Sequence, residues 1–171
     1  MEIHVIEKDI TKLGNKVDAI VNAANETLLG GGGVDGAIHF AAGPKLFEEC
    51  LTLHGCNPGE AKVTKAYNLG NKYIIHTVGP RYYSSPNPEE TLRNCYINSL
   101  KLADELGLES IAFPSISTGA FAYPIEEAAE VCAKAICSYK PKTIKTIYMV
   151  IYFDDEEMNI YKKAFEKYQN K

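Results

Sequence analysis

The 171-residue chain is predicted to be an α/β protein, a three-layer α/β/α sandwich around a central mixed sheet. Three observations carry this prediction. Strand-like and helix-like segments alternate along the chain. The segments AIVNA, YIIHTV, SIAFPSI and TIYMVIYF are apolar at successive positions, as expected of strands covered by helices on both faces. Two adjacent strand-like runs are joined by only a short Gly-Asn connection, so that pair must be antiparallel and the sheet mixed.

Strands are expected at 2–9 (EIHVIEKD) and 18–24 (DAIVNAA), separated by ITKLGNK. Helical spacing runs through 35–55, with Gly43-Pro44 marking a kink or break. Residues 60–69 and 72–80 read as strands, and 89–107 as an amphipathic helix with Leu92, Tyr96, Leu100, Leu102 and Ala103 on one face and Gly107 as its stop. A strand at 109–116, a helix at 125–140, a strand at 144–153 and a helix at 154–168 complete the series. The stretch RYYSSPNPEE (81–90) is rich in turn residues.

The length suits one domain, residues 1–171, with room for a real core. Hydrophobic residues make up 46% and charged residues 23%, a globular balance. A net charge of −4 argues against a broad basic surface for nucleic acid, although backbone N–H groups can still bind a small anion. Five cysteines without framework spacing read as reduced, packed thiols. No signal peptide precedes the first strand and no apolar run is long enough to span a bilayer, so a soluble cytoplasmic protein without membrane partners is expected.

Four consecutive glycines, Gly30 to Gly33, precede Val34 and Asp35. Gly31, Gly33 and Gly36 formally match a dinucleotide fingerprint, but eight residues intervene between the end of the strand-like DAIVN and the rest of the motif. No Lys-Ser/Thr follows the glycines, which excludes a P-loop. Their physics still points to an anion site: glycine lets backbone N–H groups approach a ligand, and a helix N-terminus carries partial positive charge. A second turn, FPSISTGAFAYP (113–124), also links a buried strand to a helix through small residues. Two such loops at one sheet edge suit a ligand with two phosphates. Phe121 reads either as a cover for a sugar or base, or as a plug beneath the loop.

Taken together, KDIT, VDAIVNAANETLLGGGGVDGAIHFAAG, GEAKVT, YIIHTVGP and IAFPSISTGAFAYP resemble the macrodomain family, in particular its MacroD-type branch of ADP-ribosyl-ester hydrolases. The resemblance extends from Asp9 to the last helix. It implies binding of ADP-ribose across the top of a mixed sheet and hydrolysis of esters on the distal ribose. The implied substrates are O-acetyl-ADP-ribose and proteins mono-ADP-ribosylated on Asp or Glu, and no cofactor is implied.

Carried over by position, Asp9 and the backbone of Ile10 would read adenine; Asp9 could instead cap the turn at ITKL. Phe153 resembles the aromatic that packs on the adenine face; the period-two rule puts Tyr152 on the other side of the strand, so only one of the pair can serve. Asn25 would bind the distal ribose hydroxyls, whereas Asn22 would be tied to backbone. Gly32, Gly33 and Val34 would cradle the pyrophosphate on one side. Ser117, Thr118, Gly119, Ala120 and Phe121 would close over it on the other, with Phe121 against the distal ribose.

Asp35 would be the catalytic general base or, alternatively, would orient the ribose or the water. Its place at a helix N-terminus favours the charged form and so argues for a weak base. His39 and His76 read as structural. Cys50, His54 and Cys56 lack a fourth ligand at standard zinc spacing, so no metal is expected. Two departures from the family pattern stand out: Ala122 replaces a usual glycine, and Asn57-Pro58 replaces a usual threonine before Gly59. A non-catalytic ADP-ribose reader and an ADP-ribose 1″-phosphatase are the competing readings.

Overall fold

A computed structural model describes residues 1–169. Its strands are β1 (Glu2–Glu7), β2 (Ala19–Ala24), β3 (Ala61–Lys65), β4 (Tyr73–Val78), β5 (Ser110–Phe113) and β6 (Thr146–Ile151). The helices are α1 (Gly33–Ala42), α2 (Pro44–Leu51), α3 (Pro88–Glu105), α4 (Ile125–Ser138) and α5 (Asp155–Gln169). The strands form one sheet in the order β1-β6-β5-β2-β4-β3. Every pairing is parallel except β3 with β4, so the sheet is mixed as expected.

Alternation along each strand divides the core in two. Ala19 and Val21 of β2, Ile75 of β4 and Met149 of β6 pack with Leu92, Tyr96, Cys132, Tyr161 and Phe165 from α3, α4 and α5. Ile20 and Ala24 of β2, Ile74 and Val78 of β4 and Val150 of β6 pack with Ile38, Ala42, Leu46 and Cys50 from α1 and α2. This is the three-layer sandwich, and it explains why the central strands are apolar at consecutive positions.

The structure corrects several boundaries. The break expected at Gly43-Pro44 divides the 35–55 segment into two helices, because Gly43 turns at φ 90 and Pro44 starts the second, which stops at Leu51. The connection between β3 and β4 is longer than a Gly-Asn pair and includes a 3-10 turn at Tyr67–Leu69. β5 stops at Phe113, before Pro114, which has no N–H to offer a ladder. β6 stops at Ile151, so Tyr152 and Phe153 lie beyond the strand. Among the described residues, no helix is long and apolar enough to cross a membrane.

Candidate active site

The C-terminal ends of β1, β2, β4, β5 and β6 open into a cleft of about 910 Å³. Crevices of this kind occur where connections from neighbouring parallel strands diverge. The glycine turn after β2 forms one wall and the loop after β5 the opposite wall. Asp9 and Ile10 lie at the end of β1, and Tyr152 at the end of β6.

Within the glycine turn, Gly30 (φ 95) and Gly33 (φ 58) occupy the left-handed region. Gly36 is needed for another reason, since a Cβ there would lie 2.4 Å from the carbonyl of Gly31. Helix α1 starts at Gly33 with Gly32 as a cap that provides no side-chain hydrogen bond. Among the described residues, the N–H groups of Gly31 to Asp35 have no intramolecular acceptor. They form a positive backbone edge at the mouth of the cleft.

The facing loop is similarly built. Ser117 accepts from the Tyr123 N–H and Gly119 from the Ala122 N–H, each at 2.9 Å. The N–H groups of Ser117 to Phe121 have no acceptor among the described residues. Ser117 (φ 67) and Ala122 (φ 62) both adopt left-handed backbone, so the usual glycine position is realised here by a strained alanine. The loop is anchored by Ser115, whose Oγ lies 2.8 Å from Thr118 Oγ1 and 2.5 Å from Tyr161 Oη. It is also tied to the turn after β4, where the Tyr82 N–H donates to the carbonyl of Phe121 at 2.9 Å. Phe121 lines the cleft with the Arg81 guanidinium 4.6 Å above its ring, so it is a wall and not a buried plug.

Asp35 lies in the first turn of α1 and is only 4% exposed. Its Oδ1 accepts from Asn22 Nδ2 at 2.8 Å. His39, one turn along the helix, places Nε2 3.5 Å from the same oxygen. Burial pushes the carboxyl above the ordinary carboxylate range, against the opposing effects of the Asn22 hydrogen bond and His39. Desolvation outweighs both of these opposing effects, so burial makes the carboxylate a stronger base than its sequence position implied.

Asn25 is close by: a Cβ on Gly31 would touch both Asp35 Oδ2 (3.2 Å) and Asn25 Nδ2 (3.3 Å). Its side chain also braces its own loop, donating to Gly30 O at 2.8 Å and accepting from Thr27 Oγ1 and the Leu28 N–H. Asn22 is corrected outright. It is not tied to backbone but bridges Asp35 and His76. Asp9 does cap the 3-10 turn at Ile10–Lys12, accepting at Oδ1 from Thr11 N and Oγ1, and it lines the cleft as well.

The structure thus brings Asp9, Ile10, Asn25, Gly32, Gly33, Val34, Asp35 and Ser117 to Phe121 around one cleft. Phe153 is the exception. With β6 ended, the period-two rule no longer applies, and Tyr152 lines the cleft instead. Phe153 (φ 41, 64% exposed) packs edge-on against Tyr152 at 5.0 Å. Lys8, Gly79, Arg81 and Glu157 also line the cleft and were not singled out by sequence. All but Glu157 follow the C-terminal ends of strands, a signal that strand-end logic applied to β1 and β4 would have detected.

The sequence model of the Macro domain matches residues 21–132. A macro domain-containing protein of Methanosarcina mazei is 52% identical over 168 residues, covering 96% of this chain and 88% of that protein. The ADP-ribose glycohydrolase MACROD1 of Bos taurus is 50% identical over 173 residues, and this chain spans 52% of its length. Among solved structures, an Oceanobacillus iheyensis macrodomain mutant with ADPR superposes with TM-score 0.90 at 40% identity, covering 98% of this chain and 93% of that one. A Trypanosoma brucei macrodomain in complex with ADP-ribose superposes with TM-score 0.85 at 38% identity, covering 95% and 68%. By sequence and by fold, this chain belongs to the Macro domain family.

Proposed function

We propose that residues 1–171 act as one domain that binds ADP-ribose in the cleft and hydrolyses esters on its distal ribose. The observation that carries this reading is the pair of loops presenting N–H groups unpaired among the described residues across the cleft, with the buried Asp35 carboxyl at the edge of one of them. The named activity of the MACROD1 relative and the ADP-ribose bound by similar macrodomains point the same way.

The two loops take the pyrophosphate, Asp9 and Ile10 take adenine at one end, and Asn25 and Phe121 meet the distal ribose at the other. Asp35, its basicity raised by burial, accepts a proton from water as the water adds to the ester carbonyl. Collapse of the tetrahedral oxyanion breaks the acyl–oxygen bond, and the departing ribose oxygen takes a proton back. The products are ADP-ribose and the free carboxylic acid. O-acetyl-ADP-ribose and mono-ADP-ribosylated Asp or Glu on proteins are the substrates. Five free thiols are consistent with action in the reducing cytoplasm.

The test is an assay of both substrates with wild type, Asn25→Ala and Asp35→Ala, alongside calorimetric titration of ADP-ribose. The reading requires turnover in wild type and its loss in the variants. ADP-ribose binding without turnover by wild type would instead make the protein a reader.

A further inference from the structure

Asp35 is held from beneath by polar side chains that cross three adjacent strands, on the sheet face covered by α1 and α2. Asn22 of β2 and His76 of β4 are paired positions in the parallel ladder, and Thr64 lies on β3, one strand further out. Asn22 and His76 are 0% exposed and Thr64 is 1% exposed. Asn22 Nδ2 lies 2.8 Å from Asp35 Oδ1 and 3.1 Å from His76 Nδ1. His76 Nε2 lies 2.9 Å from Thr64 Oγ1, and the Thr64 hydroxyl donates to the carbonyl of Lys65 at 3.0 Å.

These contacts fit together in one arrangement of hydrogens. With the single hydroxyl proton of Thr64 on the Lys65 carbonyl, its oxygen accepts and His76 Nε2 donates. Burial pushes the imidazole down to about 3, which keeps the ring neutral and leaves Nδ1 bare. Asn22 therefore directs one amide hydrogen to His76 and the other to Asp35. Its carbonyl Oδ1 is left buried with no partner among the described residues. Turning the amide over would put Nδ2 in that partnerless position instead, so its orientation is set by what Asp35 and His76 require of the other end.

The reverse arrangement is chemically well defined. A ring proton on Nδ1 would donate to the Asn22 carbonyl and turn the amide around. That carbonyl would then face Asp35, and only a protonated carboxyl could satisfy it. The bond from Thr64 to Lys65 separates the two states.

We propose that Thr64 and His76 are positioning residues that fix the Asn22 amide, so that its N–H holds Asp35 as an aligned, ionised carboxylate. This rests on the role given to Asp35 under Proposed function. The other titratable groups facing Asp35 are His39 on its own helix and Cys50 on α2, whose thiol burial raises to about 11. Neither hydrogen-bonds Asn22, although the His39 ring lies 6.5 Å from that of His76, where its charge further disfavours a protonated His76.

The proposal is tested by NMR and kinetics. In wild type, ¹⁵N-labelled histidine is expected to show His76 neutral with its proton on Nε2; a proton on Nδ1 overturns the proposal. Thr64→Val is expected to raise the ¹³C-detected titration of Asp35 by about one pH unit, the scale of one hydrogen bond to an ionised group, and Thr64→Ser to restore it. The acid limb of kcat against pH should move in the same direction while the Kd for ADP-ribose is retained. A folded Thr64→Val protein with an unmoved Asp35 titration overturns the proposal, and if that variant does not fold, the wild-type tautomer decides alone. Absence of ester turnover in wild type would count against the assigned function, whereas both NMR readings judge the relay without requiring turnover.

Discussion

Asn22 on β2 donates to Asp35 on α1 across 2.8 Å, joining the middle of the sheet to the first turn of the helix at the cleft. The bond restrains the one carboxyl in this region that is both buried and beside the glycine turn. Burial raises its basicity while the bond keeps its ionised form accessible. A base for water attack needs both properties at once.

Asp35→Ala should therefore reduce ester turnover by about 10²–10⁴-fold, the usual contribution of a positioned acid–base group. Its affinity for ADP-ribose should change far less. Single-turnover hydrolysis alongside calorimetric binding makes the check; unchanged turnover would remove Asp35 from the chemistry.

The same residue should lower stability at neutral pH. Its folded-state carboxyl titrates above the unfolded value, so the unfolded state ionises first and stability is lost as pH rises through that window. Asp35→Asn should then raise Tm at pH 7, with the gain shrinking as pH falls below the ordinary carboxylate range. Thermal melts of both proteins at several pH values would show it. A gain independent of pH would refute the electrostatic origin.

Gly79 sets the spacing between the turn after β4 and the loop after β5. A Cβ there would lie 2.1 Å from Ser117 Oγ and 2.7 Å from Ile116 Cγ2. Gly79→Ala should cost about 1–3 kcal/mol in stability, as overpacking does, and weaken ADP-ribose binding by displacing the loop. Denaturant unfolding and calorimetry would measure the two effects; native values in both would mean that the loops can separate freely.

Ala122 bears left-handed strain of roughly 1–2 kcal/mol, while glycine returns about 0.4–1 kcal/mol through its freer unfolded chain. Ala122→Gly should give a small net stabilisation, visible as a slightly higher Tm. A lower Tm would show that the methyl group contributes packing that exceeds the strain.

Tyr152 lines the cleft and Phe153 backs it. Tyr152→Ala should weaken ADP-ribose binding by about 1–3 kcal/mol, the scale of aromatic stacking on a base, and Phe153→Ala should do less. The opposite ranking in calorimetry would restore Phe153 as the stacking residue.

The choice between these aromatics shows where sequence reading stops. Alternation is reliable only while the chain remains in a strand, and β6 ends one residue before Tyr152. Asn22 was misread for a related reason. Its partners, Asp35 and His76, lie 13 and 54 positions away, and only the packing of α1 on the sheet and the parallel pairing of β2 with β4 bring them to it. The strand-to-helix loops, by contrast, were legible because glycine and small residues in such turns have local conformational causes.

The layered α/β architecture, the two small-residue loops and the candidacy of Asp35 were legible in the residues alone, because periodicity, turn chemistry and motif order are written locally. The tertiary structure alone decided the basicity of Asp35. A helix N-terminus lowers a carboxyl and burial raises it, and burial becomes known only once α1 is packed against the sheet. It alone also decided the orientation of the Asn22 amide, which depends on hydrogen bonds running through three strands to Thr64.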